Sequence, residues 1–256
     1  MLEIIPLPAL KDNYIWLLKN TISRHVAIVD PSEAEPVLNV IKSEGLIPIA
    51  IMITHHHWDH VGGISGITEQ FDIPVYTPKT ESVVGSTNPV GEGDVVALTE
   101  LSLNLKILDV PGHTSGAVAY YTDAMVFSGD TLFTAGCGRM FEGTPPQMHA
   151  SLSKFKTLPD STLLYCGHEY TVANLKFAAK VEPNNVAIQR RLQLAEETRK
   201  SNHPTVPATL AEEKQTNPFL RCEERDVISA ASHFSAKKLN ETADVFAAVR
   251  QWKDHF

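Results

Sequence analysis

Within Thr54-His55-His56-His57-Trp58-Asp59-His60 the chain places four of its 11 histidines beside an aspartate. Successive side chains of an extended segment point to opposite sides, so His55 and His57 can face one point while His56 faces away. Asp59 and His60 follow, where a turn toward Gly62-Gly63 can aim them at a neighbouring position, the glycines permitting a close backbone approach. His56 and Trp58 are expected to be spacers that pack or support rather than ligands. A lone histidine such as His25, His149, His203, His233 or His255 is expected to be a solvated or core residue.

Three further residues share a local pattern: His113 in Pro111-Gly112-His113-Thr114, Asp130 in Ser128-Gly129-Asp130, and His168 in Cys166-Gly167-His168-Glu169. Each follows a glycine and a predicted strand, and strand ends on one rim of a sheet can converge although distant in sequence. His55, His57, His60, His113 and His168, with Asp59 and Asp130, form a ligand set suited to two divalent metal ions. A carboxylate such as Asp130 can bridge two ions about 3.5–4 Å apart, with a hydroxide as the second bridge. Asp59 and Asp130 are therefore the candidate catalytic carboxylates. Ions in such a site generate hydroxide near neutral pH and stabilise an oxyanion, so neither a serine nor a cysteine nucleophile is needed and Cys137 and Cys166 receive no catalytic role.

The elements that must position these residues read as short strands at 2–7, 14–18, 26–29, 49–53, 74–77, 95–98, 103–110, 117–122, 125–128 and 163–166. Helical patterns fall at 33–44, after Gly62-Gly63 through Phe71, and at 146–157, and the segment 82–94 is loop-rich. From Thr171 the pattern turns helical, at 172–181, 186–201, 223–232 and 241–252, which places a boundary near residue 170 between a catalytic part, 1–170, and a helical part, 171–256. No internal repeat is visible.

A chain of 256 residues with 43% hydrophobic content can bury a substantial core. The net charge of −8 argues against binding nucleic acid through its phosphates, which relies on surplus Lys and Arg. The longest apolar run, 46–53, is far short of the roughly 20 residues a membrane helix needs. The start, MLEIIPLPAL, lacks the basic region of a secretory signal. Three widely spaced cysteines argue against a disulfide framework. A cytoplasmic monomer is expected.

The run His55-x-His57-x-Asp59-His60, followed by Pro-Gly-His113-Thr, Gly-Asp130 and Gly-His168, resembles the metallo-β-lactamase superfamily. The resemblance implies an α+β fold, an αββα sandwich. It also implies that His55, His57 and His113 hold one metal, that Asp59, His60 and His168 hold the other, and that Asp130 bridges. Zinc is the default, with iron or manganese equally compatible with these ligands.

Within that superfamily nearly the whole chain resembles the glyoxalase II, or hydroxyacylglutathione hydrolase, family. The carrying segments are Ala135-Gly-Cys-Gly-Arg139-Met-Phe141-Glu-Gly-Thr144, Tyr165-Cys-Gly-His-Glu-Tyr-Thr171, Asn217-Pro-Phe-Leu-Arg221 and Arg250-x-x-Lys253. The resemblance implies hydrolysis of S-(2-hydroxyacyl)glutathione, chiefly S-D-lactoylglutathione, to glutathione and D-lactate by a metal-bridging hydroxide, the second step of methylglyoxal detoxification. Arg250 and Lys253 would bind the glycine carboxylate, while Arg139 and Tyr170 would contact the peptide beside the metals. Phe141 departs from the tyrosine of eukaryotic members and can offer ring contact only. A glutathione persulfide dioxygenase shares fold, histidine motif and thiol, but the helical C-terminal third weighs against it.

Overall fold

The computed structural model describes residues 1–256. Its strands and helices follow the hydrophobic patterning closely. The first sheet has six strands in sequence order: β1 (Leu2–Ala9), β2 (Asn13–Asn20), β3 (His25–Val29), β4 (Ile47–Met52), β5 (Val75–Pro78) and β6 (Asn88–Val90). The first three are antiparallel neighbours, and β3 through β6 pair in parallel. A second six-stranded sheet contains β7 (Val95–Leu98), β8 (Leu103–Asp109), β9 (Val118–Tyr121), β10 (Met125–Gly129), β13 (Leu163–Cys166) and β14 (Ala208–Thr209). A small hairpin, β11 (Leu132–Phe133) and β12 (Gly136–Cys137), lies between β10 and β13 in the chain.

The central strands are apolar on both faces because each sheet is covered twice. In β2 and β3, Ile15, Leu17, Val26 and Ile28 pack outward against Val37 and Ile41 of α1 (Ala34–Glu44) and Ile64 and Ile67 of α3 (Ile64–Thr68), α2 being the single turn Trp58–Val61. Their alternates Trp16, Leu18, Ala27 and Val29 face the second sheet and meet Leu105, Ile107, Tyr120, Phe127 and Tyr165. The outer face of the second sheet, with Ala119, Val126 and Leu164, is covered by α4 (Pro145–Lys156), α5 (Thr171–Val181), α8 (Arg225–Ser235) and α9 (Thr242–Asp254). Two sheets between two helical layers give the expected αββα sandwich.

Between α5 and α8 run α6 (Val186–Lys200) and α7 (Leu210–Thr216). The helical segment does not stand apart, because Phe177, Leu210, Phe219 and Phe246 share a core with Val110, Val126 and Leu164, and β14 pairs with β13.

The 82–94 segment is loop-rich as expected, and its strand β6 extends the first sheet at its edge, where Pro89 is tolerated because an edge strand needs fewer backbone donors. One local reading needs correction. Asp59 and His60 do not lie on a turn ahead of a glycine-led helix but inside α2 itself. The unanticipated α7 begins with a capping box in which Thr209 and Glu212 satisfy each other's backbone N–H groups.

Candidate metal centre

The seven histidine and aspartate candidates come together at one end of the sandwich. His55 and His57 leave the end of β4 through an irregular segment, and their rings lie 4.8 Å apart, centroid to centroid. His56 turns away, as expected, and its two ring nitrogens lie 3.0 Å from Glu81 Oε2 and 3.1 Å from Glu142 Oε1. Asp130 follows β10 and His168 follows β13, strands that pair in parallel and deliver both residues to the same rim.

The glycines ahead of these ligands have steric reasons. Gly129 adopts φ +50°, which favours glycine, and a Cβ there would collide with the Thr54 side chain. At Gly167 a Cβ would lie 2.5 Å from Asp130 Oδ1 and 2.7 Å from His60 Cε1, so only a bare backbone leaves room for the ligands.

The ligand atoms form two groups. His55, His57 and His113 offer donor atoms within 4.8 Å of one another, and Asp59, His60 and His168 do the same. Asp130 stands between them: Oδ2 is 3.5 Å from His113 Nε2 and 3.2 Å from His168 Nε2, while Oδ1 is 3.3 Å from His60 Nε2.

His55 Nε2, His60 Nε2 and Asp130 Oδ1 are buried without a hydrogen-bond partner, a costly state for three polar atoms that all face one centre. His113 Nε2 and His57 Nδ1 lie 2.9 Å apart, somewhat closer than the roughly 3.3 Å between donors on a tetrahedral zinc. The residues present fit divalent metal ions.

The far side of four of the five imidazoles is fixed. His60 Nδ1 lies 3.0 Å from Asp30 Oδ2, His168 Nδ1 lies 2.9 Å from Asp12 Oδ1, and His113 Nδ1 is 2.8 Å from the Arg139 carbonyl. Thr54 Oγ1 donates to Asp30 and so accepts from His55 Nδ1 at 3.0 Å. These contacts put the proton on Nδ1 and turn the Nε2 lone pairs inward, the arrangement that raises ligand basicity. Asn13 Nδ2 donates to Asp59 Oδ2 at 3.1 Å.

Electrostatics differ between the two groups. Burial lowers the pKa of His55 far below the ordinary value, with His60 adding repulsion, and burial likewise lowers His57 and His113. Burial is the largest single influence on His60 and His168 and opposes their charge, but the combined pull of Asp130 with Asp30 at His60, and of Asp130 with Asp12 at His168, raises both. Asp130 is held well below the carboxylate range despite burial, chiefly by His60 and then His168.

The metal-facing side opens into a cavity of about 770 Å³. His57, Asp59, His113, Asp130 and His168 line it together with Arg139, Phe141, Tyr170, Arg250 and Lys253. All five substrate-contact candidates thus share one cavity with the ligands. Tyr170 stacks on His168 with centroids 4.8 Å apart and planes 2° from parallel. Arg250 is almost fully buried and donates to the Cys137 carbonyl at 2.8 Å. Trp58 was expected to pack, yet it is 70% exposed at this cavity, because the first turn of α2 directs it away from the sandwich.

Asp12, Asn13, Asp30 and Thr54 were missed from sequence. The signal for Asp30 was present, since like Asp130 it is a carboxylate at the end of a buried strand, but Asp30-Pro31 reads as a turn.

An αββα sandwich with two His/Asp clusters sharing a carboxylate at its rim defines a metallohydrolase. Residues 12–168 match the family model of the metallo-β-lactamase superfamily, and residues 169–256 match that described as hydroxyacylglutathione hydrolase C-terminus. The chain is 49% identical to a hydroxyacylglutathione hydrolase of Nitrosomonas eutropha over 256 residues, 100% of both chains. It is 50% identical to that of Alkalilimnicola ehrlichii over 254 residues, 99% of both. Among solved structures it is similar to ETHE1 from Myxococcus xanthus, at 23% identity and TM-score 0.66, covering 99% of this chain and 98% of that one. A protein solved in a di-iron-bound form shows 27% identity and TM-score 0.58, with 85% of this chain and 100% of that one covered. The chain belongs to the hydroxyacylglutathione hydrolase, or glyoxalase II, family of the metallo-β-lactamase superfamily.

Proposed function

We propose that the protein hydrolyses S-(2-hydroxyacyl)glutathione thioesters, chiefly S-D-lactoylglutathione, to glutathione and D-lactate, the second step of methylglyoxal detoxification. The observation that carries this reading is a single cavity lined both by metal-ligand candidates and by Arg250 and Lys253. Relatives named hydroxyacylglutathione hydrolase, 46–50% identical along the chain, support it.

His55, His57 and His113 would hold one divalent ion, Asp59, His60 and His168 a second, with Asp130 shared. Bound ions supply hydroxide near neutral pH and polarise the thioester carbonyl. Asp30, Asp12, Thr54 and the Arg139 carbonyl keep the imidazoles aimed. Arg250 and Lys253 would hold the glycine carboxylate by charge-assisted hydrogen bonds, with Arg139, Phe141 and Tyr170 along the peptide. The leaving thiol, with a pKa of about 8.5, departs as thiolate and needs no protein acid. Residues 171–256 act as the substrate-binding part.

Zinc is our default for both ions, and the likeness to a di-iron-bound structure supports iron as an alternative. No helix is long and apolar enough to cross a membrane. The three cysteines are buried and unpaired, which supports a cytoplasmic setting, and we read the chain as a monomer without nucleic-acid partners. The test is incubation of metal-loaded protein with a panel of glutathione thioesters, with metal analysis of the same sample. Thiol release from S-D-lactoylglutathione is expected, and a fully loaded protein that leaves every thioester intact would sink the reading.

A further inference from the structure

Asp254 is the last residue of α9, and nothing in helix energetics favours an acid there. A carboxylate opposes the negative end of the helix dipole. The pair Arg250 and Asp254, four residues apart, has the cation on the N-terminal side, the weaker orientation for a helical ion pair. Yet Asp254 Oδ1 accepts from Arg250 Nη2 at 3.1 Å and lies 3.6 Å from Arg139 Nε. Asp254, Arg250, Lys253 and Arg139 all line the cavity described above.

The cations are crowded. Burial and the repulsion of Arg250 already lower the Lys253 amine to about 8. Arg250 is 4% exposed at its side chain, its Nε is buried without a partner, and Asp254 is the one carboxylate it pairs with. Asp254 itself is 38% exposed, so its carboxylate can turn into solvent.

We propose that Asp254 is an internal counter-ion that occupies the cation cluster until the substrate's carboxylate displaces it, weakening the hold on glutathione so that product leaves. This rests on the reading of the cavity as a glutathione thioester site. Displacement exchanges one carboxylate for another, so the cluster never stands uncompensated, and the incoming anion gains only the difference between the two. A carboxylate serving merely to orient Arg250 would have the opposite effect on affinity.

Asp254→Asn and Asp254→Ala, as metal-loaded proteins, separate the two roles. Calorimetric titration with glutathione and steady-state kinetics with S-D-lactoylglutathione are expected to show Kd and KM falling about two- to fivefold, the range of a partly exposed charge pair. A glutathione esterified at its glycine carboxylate should show no gain. Unchanged or weakened glutathione binding, or an equal gain with the ester, would overturn the proposal. A wild-type protein that neither binds glutathione nor cleaves the thioester would instead overturn the functional reading beneath it.

Discussion

Asp30 Oδ2 lies 3.0 Å from His60 Nδ1, with the two side chains 3% and 1% exposed. The same carboxylate accepts from the Thr54 backbone N–H at 2.7 Å and from Thr54 Oγ1 at 2.6 Å. Thr54 in turn orients His55. One buried aspartate therefore aims a histidine of each group. Asp30→Asn keeps the volume but loses an acceptor and the negative charge, and supporting groups of this kind are worth about 10–100-fold in metal affinity. The free zinc concentration that half-fills the site, read as metal content after dialysis against a series of zinc buffers, is expected to rise by that factor, and a titration equal to wild type would refute the role.

Metal removal should be visible in stability as well as turnover. An ion present at about 1,000 times its Kd stabilises the folded chain by about 4 kcal/mol, or roughly 8–16 °C for a chain of this size. Chelation is expected to abolish hydrolysis and lower the melting temperature, with both restored by readdition. Asp130→Ala should lose turnover and most of the metal-dependent shift, because its carboxylate faces His60, His113 and His168 at 3.2–3.5 Å. A chelated protein that melts and turns over as before would contradict the assignment.

The ligands were legible because their chemistry is dense: four histidines within seven residues, and three more candidates each after a glycine and a strand. The strands at 14–18 and 26–29 were legible because Ile15, Leu17, Val26 and Ile28 alternate with Trp16, Leu18, Ala27 and Val29, apolar on both sides, whereas the sandwich itself was implied by the family resemblance. What resisted was anything set by long-range contact. Asp12 is 156 residues from His168, and Glu81 reaches His56 from just beyond β5. Trp58, read as a spacer that packs or supports, is exposed, because one turn of helix decides its direction. Asp254 reads locally as no more than a weakly oriented i, i+4 partner of Arg250, and its approach to Arg139 is set by long-range packing.

Gly167 offers a steric test of the site that leaves every ligand in place. A Cβ would press on Asp130 Oδ1 and His60 Cε1, 2.5 and 2.7 Å away, and its backbone N–H donates to the Gly129 carbonyl at 3.0 Å, so the strand end cannot easily retreat. Gly167→Ala is expected to fold with a loss of about 1–3 kcal/mol, as for overpacked sites, and to lose at least about tenfold in kcat from ligand displacement. Stability by denaturant titration and kcat by thiol release measure the two effects separately. Normal kcat with normal metal content would show that the ligands yield without consequence.

Lys253 gives the pH dependence its sign. Burial, then repulsion by Arg250, lowers its amine from 10.5 to about 8, while the Phe177 and Phe256 rings lie 5.2 and 5.5 Å away. Below about 8 the ammonium can pair with a substrate carboxylate, and above it that charge is lost. KM for a thioester with a free glycine carboxylate is therefore expected to rise between about pH 7 and 9, with little change in kcat. Lys253→Met should raise KM at pH 7 and flatten this dependence. Stability has the reverse trend: the unfolded amine holds its proton up to 10.5, so between about 8 and 10.5 the unfolded chain binds more protons and folding gains as pH rises. Lys253→Met should remove this gain and be slightly more stable than wild type at pH 7. A KM that stays level across this range in wild type, measured beside denaturant titrations at pH 7 and 10, would exclude Lys253 as the carboxylate's partner.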